Sequence, residues 1–123
     1  MTVIEDLSVE KTVDVIIDHI LEKKGEAIVV MDLRGVTGVT DFFVIATGTS
    51  NVQVRAIADE VKEKLKKDHG INPWHAEGYQ AQKWILLDYV NIVVHVFDAE
   101  TRSYYDIEKL WGDAKIRVVD TNY

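Results

Sequence analysis

The chain has 123 residues, 47% hydrophobic and 28% charged, with a formal net charge of −7 and no cysteine. The missing cysteines exclude disulfides, thiolate metal sites and cysteine nucleophiles and fit a reducing compartment. The acidic balance lacks the basic footprint of a general nucleic-acid binder and suits a basic protein partner.

The length predicts one domain over residues 1–123. The first six residues are acidic and lack a signal-peptide pattern. No apolar run approaches the roughly 20 residues of a membrane span, so the expected location is cytoplasmic, with no membrane partner. Val9, Val13, Ile16, Ile17, Ile20 and Leu21 recur at helical spacing and predict a helix over 9–24. Ser8 or Asp6 is placed to cap it, and Gly25 to take the left-handed position at its end. Residues 27–33 read as a buried strand, 34–40 as a loop and 42–47 as a second strand. A helix follows to about His69, opened by the capping-box pattern of Ser50 and Gln53 and ended by Gly70. Pro73 predicts irregular chain over 71–77, and Gly78 a turn or bulge. Residues 84–89 and 92–97 predict an antiparallel hairpin. Ser103 is the expected cap of a short helix ending at Gly112, with Tyr104 and Trp111 as core filling. Residues 115–119 are a further strand or an ordered tail. The order predicts an α/β (α+β) fold with helices flanking a mixed sheet.

Catalytic sets are thin. Gly48, Thr49 and Ser50 stand at a strand-to-helix junction, as in nucleotidyltransferases, but no Asp-x-Asp pair follows to hold metal. The substitutes are Asp98 and Glu100. The alternative function is therefore a metal-dependent nucleotidyltransferase or nucleotide-binding module using Ser50, Asp98 and Glu100; the structural reading makes Ser50 a helix cap. His95 reads as a half-buried histidine with a hydrogen-bond partner, and His19 as one of the polar positions of the first helix. No two histidines have metal-ligand spacing. No Walker lysine and no G-x-G-x-x-G occurs. No cofactor, metal or catalytic residue is assigned. Trp84 and Tyr89 read as interface anchors, because such rings give large contact area at low entropy cost. Strand parity puts positions 84 and 89 on opposite faces, so a single partner reaches both only if the strand lies at a sheet edge or Trp84 precedes the regular part.

Several segments together resemble the ribosomal silencing factor (iojap-like) family: TDFFVIATGTS at 40–50, Gln53, AIAD at 56–59, Glu77 and Gly78, WILLD at 84–88, VHVF at 94–97, Arg102 and YDIEKLW at 105–111. The resemblance implies a mixed five-stranded sheet with flanking helices, nucleotidyltransferase-like without the catalytic carboxylates. It implies a non-enzymatic repressor of translation during starvation. Its implied partner is the fourteenth large-subunit ribosomal protein, on the intersubunit face, where binding blocks joining of the small subunit. It implies Trp84 and Tyr89 as partner-binding residues, with Lys83 and Asp88 beside them, and a possible homodimer. Direct sequence-specific nucleic-acid binding is not implied. The family's usual Gly-Asp turn is replaced by Val90 and Asn91. Valine tolerates positive φ poorly, so the expectation is negative φ at Val90, with Asn91 taking any left-handed position.

Overall fold

The computed structural model describes residues 7–121 and 123; Asp6, one of the two candidate caps, lies outside them. The first helix, α1 (Val9–Glu22), is capped by Ser8, whose hydroxyl accepts from the Lys11 amide at 3.1 Å. Its C-terminus closes with Lys24 left-handed (φ 61°), the Lys24 amide on the Leu21 carbonyl and the Gly25 amide on the Ile20 carbonyl. The left-handed residue is thus Lys24, not the expected Gly25. Gly25 serves close packing instead: a Cβ there would collide with the Ile20 side chain.

Strands β1 (Glu26–Asp32) and β2 (Phe42–Gly48) follow, then α2 (Asn51–His69). Ser50 caps α2 by accepting from the Gln53 amide at 3.1 Å. Gln53 reaches back one residue further than a capping box requires, accepting from the Thr49 amide and hydroxyl. Its amide nitrogen donates to the Lys23 and Lys24 carbonyls, so one side chain ties the end of α1 to the start of α2. Gly70 (φ 67°) ends α2 as expected. Further along the pair, His19 Nδ1 of α1 stands 3.7 Å from the carboxylates of Glu22 and Glu60.

The rest is β3 (His75–Glu77), β4 (Trp84–Asp88), β5 (Ile92–Asp98), α3 (Ala99–Tyr105), α4 (Ile107–Leu110) and β6 (Lys115–Val118). The sheet order is β3-β4-β5-β2-β1-β6, with β2 and β5 parallel and every other pair antiparallel. The sheet is mixed, as expected, but has six strands rather than five. The extra pairing comes from β3, whose three residues fall where irregular chain is predicted. The predicted hairpin is present, with Trp84 opposite Phe97 and Asp88 opposite Val93.

The two sheet faces differ. On one face, Val13, Ile16, Ile17 and Ile20 of α1 and Val54, Ile57, Ala58, Val61 and Leu65 of α2 cover Val44, Ala46, Ile85, Leu87, Val94 and Val96. Fully burying each such aliphatic side chain stabilises by roughly 1.5–3 kcal/mol, which makes this layer the main core. On the other face, a smaller cluster of Val29, Met31, Leu33, Ile45, Phe97, Ile107 and Ala114 is covered only by the α3–α4 segment.

That segment departs from expectation. Its cap is Asp98, whose Oδ1 accepts from the Thr101 amide at 2.7 Å, and Ser103 lies inside the helix. Asp106 turns left-handed (φ 45°) and splits the segment in two. Arg102 decides this placement: its guanidinium donates to the Ala27 carbonyl and the Thr47 hydroxyl, and its Nε donates to Glu108 at 2.9 Å. Trp111 packs on the second cluster as expected, but Tyr104, inside α3, is 81% exposed and does not fill the core.

Candidate partner interface

Strand pairing fixes which side chains meet on the half-covered face. Across β4, β5 and β2 the rows are Asp88–Val93–Phe43, Leu86–His95–Ile45 and Trp84–Phe97–Thr47. The Trp84 indole stacks on Phe97 with ring centroids 4.8 Å apart and lies 4.9 Å from Tyr105. Its Nε1–H donates to His95 Nδ1 at 3.1 Å. His95 is only 4% exposed, and burial pushes its pKa down to about 3, so it is neutral at physiological pH. Phe43 meets His95 edge-on at 4.5 Å and Trp111 edge-on at 6.2 Å. The row nearest the hairpin turn is left open. There a cavity of about 210 Å³ is lined by Val39, Thr40, Phe43, Leu86, Val93, His95 and Trp111, among others, with Asp88 the only charged residue in its wall. Val39, at its rim, is 82% exposed.

The four sequence-assigned partner-binding residues fall in different places. Trp84 is half-buried on this face, and Asp88 lies on the same side of β4 at the cavity wall. Lys83, just before the strand, is exposed beside Asp98, Glu100, Tyr104 and Tyr105. Tyr89 points the other way and packs on the helix-covered core, where its hydroxyl is buried and desolvation raises its pKa. The structure therefore sets Trp84 and Asp88 on one face of β4, two rows apart, and separates Tyr89 from both. The parity argument anticipated this separation. The edge position does not hold at the end near Tyr89, because β3 pairs with Leu86, Leu87 and Asp88 of β4.

The turn also differs from expectation. Val90 has φ 73°, and the Asn91 amide donates to the Tyr89 carbonyl at 2.9 Å, closing a γ-turn. Two restraints hold it: the Val90 amide donates to Asp88 Oδ1 at 2.8 Å, and the Asn91 carbonyl accepts from the Asp41 and Phe42 amides. Register on both sides of the hairpin thus forces positive φ on the valine.

The residues of the nucleotidyltransferase alternative are occupied elsewhere. Ser50 and Asp98 each cap a helix, and Glu100 sits exposed in the first turn of α3. Sequence reasoning missed His95, Phe43, Leu86 and Thr40 as site residues. The signal was available in the hairpin register, which sets Leu86 opposite His95 once Trp84 is on a face.

Comparison with known proteins supplies the decisive observation. The sequence model of the family described as "Ribosomal silencing factor during starvation" matches residues 6–122. The chain belongs to the ribosomal silencing factor family. Proteins named "Ribosomal silencing factor RsfS" are similar to it in Halalkalibacterium halodurans (40% identity; 88% of this chain, 92% of the relative) and Bacillus subtilis (42%; 80% and 83%). A crystal structure of a Chromobacterium violaceum protein superposes with a TM-score of 0.83 at 34% identity, covering 94% of this chain and 97% of that one. A silencing-factor fold thus carries the half-covered face and the Trp84 cluster. No helix among the described residues is long and apolar enough to cross a membrane.

Proposed function

We propose that this silencing factor acts in the cytoplasm on the ribosome as a steric, non-catalytic inhibitor. It docks the open half of its sheet face on a ribosomal protein at the intersubunit face of the large subunit, the fourteenth being the expected one, and so blocks joining of the small subunit. The observation that carries this reading is the apolar cavity walled by Phe43, His95 and Trp111, on the end of the sheet face that the α3–α4 segment leaves open, on the same face of β4 as Trp84. The net charge of −7 favours approach to a basic ribosomal protein. The names of the bacterial relatives, and that of a mouse relative called "Mitochondrial assembly of ribosomal large subunit protein 1", agree with a ribosomal partner.

In this reading Trp84 is the anchor, Asp88 forms the wall towards the turn and Lys83 borders the opposite end. Tyr89 reaches the partner only past the strand end, beside exposed Val90. Replacing Trp84 by alanine is expected to weaken binding to isolated large subunits by on the order of 1–3 kcal/mol. Undiminished co-sedimentation of the folded variant would refute the assignment.

A further inference from the structure

The helix-covered side of the molecule holds a cluster that the docking reading does not use. His19 and Glu22 stand three residues apart on α1, so both point the same way, and Glu60 meets them from α2. His19 Nδ1 lies 3.7 Å from a carboxylate oxygen of each glutamate. One ligand atom from each of the three residues falls within 4.8 Å of the other two. The His19 and Glu60 side chains are only 13% and 12% exposed, while Glu22, at 60%, leaves the cluster open on one side.

The contacts inside this cluster are poor for the protein alone. A charge-assisted N–H···O bond is about 2.7–2.9 Å long. The 3.7 Å separations exceed that, and Nδ1 has no hydrogen-bond partner among the described residues. The two carboxyl groups also meet each other, and the hydrogen bond from Glu60 is the largest influence holding the Glu22 pKa below its usual value. Carboxyl groups so placed share a proton or hold a cation between them. The spacing favours the cation. Bonds of about 2.0–2.2 Å to a tetrahedral Zn²⁺ set neighbouring ligand atoms about 3.3 Å apart. The observed 3.7 Å closes to that with side-chain shifts of a few tenths of an ångström. The groups that stand before Nδ1 are the same carboxylates that would share the ion. It enters between its ligands from the Glu22 side and needs no path through the core.

We infer that His19, Glu22 and Glu60 bind one zinc-like divalent cation, with water in the fourth position, and that the ion clamps α1 to α2. Histidine and glutamate projecting from facing helices are the donor set of metal sites inside helical bundles. One imidazole nitrogen beside two carboxylates suits Zn²⁺ better than Mg²⁺, which keeps to oxygen ligands in octahedral geometry. Lys64 also acts on Glu22, and its positive charge limits the affinity. The site lies between the helices, on the opposite side of the sheet from Trp84, so the ion governs stability rather than docking.

The test uses the full chain without an affinity tag, stripped with chelator and titrated with Zn²⁺ by calorimetry and by melting. The parent should bind one equivalent in the micromolar range or tighter and melt about 5 °C higher when saturated; Mg²⁺ at the same concentration should do neither. Glu22→Gln alters an exposed side chain, so it should melt like the parent in chelator yet bind Zn²⁺ at least about tenfold more weakly. His19→Gln and Glu60→Gln should lose binding by a similar factor. His75→Gln breaks the other histidine–carboxylate pair, His75 with Glu77 on β3, and should bind like the parent. A parent that neither binds Zn²⁺ nor melts higher at sub-millimolar concentration overturns the inference, and the three residues then form a metal-free contact. Binding by Glu22→Gln and His19→Gln within twofold of the parent, or its loss in His75→Gln alone, overturns it as well, because the ion is then held elsewhere.

Discussion

Val90 is a residue that the fold holds against its own preference, and relieving it should stabilise the protein. Its φ of 73° lies in the left-handed region, where an L-residue is disfavoured by roughly 1–2 kcal/mol, and β-branching adds to the strain. Glycine carries no such penalty but loses about 0.5–1 kcal/mol through its freer unfolded chain. The valine side chain is 56% exposed, so little packing is lost on removing it. The hydrogen bonds of the turn come from backbone amides and from Asp88, all retained in the variant. Val90→Gly should therefore gain about 1 kcal/mol, a rise of about 4 °C in melting temperature for a chain of this size. Val90→Ala keeps a Cβ at positive φ and should gain much less. Calorimetry on the three proteins decides it. A Val90→Gly protein that melts at or below the parent temperature would refute the reasoning.

Three further outcomes follow from the same geometry. His95 is depressed from 6.5 to about 3 in the folded chain, so the unfolded state binds its proton first as pH falls. The histidine's share of stability is complete above pH 6.5 and is lost towards pH 3, by about 1 kcal/mol at pH 5.5 and about 3 at pH 4.5. Denaturant unfolding of the parent and His95→Asn should show curves that converge over that interval; parallel curves would contradict a buried neutral imidazole. Gly78→Ala should cost about 2–4 kcal/mol, because Gly78 has φ 94° and a Cβ there would run into the Trp84 carbonyl. An urea midpoint unchanged in that variant would show the approach of β3 to β4 to be looser than described. Gln53→Ala should cost about 1–3 kcal/mol through loss of the link between α1 and α2, and amide exchange should quicken at Thr49, whose N–H it leaves unpaired.

Much of the fold was legible because its signals are local. The apolar stripes of α1 and α2, the caps Ser8 and Ser50, the closure by Gly70 and the β4–β5 hairpin all follow from period and end chemistry. Elements whose reasons lie elsewhere in the chain were not legible. Three residues form β3 because β4 offers a free edge, not because His75, Ala76 and Glu77 favour a strand. The last helix begins at Asp98 rather than Ser103 because Arg102 must reach Ala27 and Thr47, over fifty residues away. Positive φ at Val90 is imposed by the start of the neighbouring β2, where the Asp41 and Phe42 amides hold the Asn91 carbonyl. For the site, Trp84 could be singled out by its type and position. The partnership with His95 was not read, although the hairpin register places it on the same face; its hydrogen bond to the indole is diagonal across the β4–β5 pair and follows from no local signal.

The most direct measurement of the central claim is subunit joining. Isolated large subunits are incubated with the protein, mixed with small subunits and separated by sedimentation. The account predicts that the parent remains on the large subunit and prevents joined ribosomes from forming, while Trp84→Ala, at the same concentration, sediments with the large subunit and prevents joining markedly less. Joined ribosomes that form normally while the parent stays bound would contradict steric blocking. Equal inhibition by Trp84→Ala would contradict the surface assigned to it.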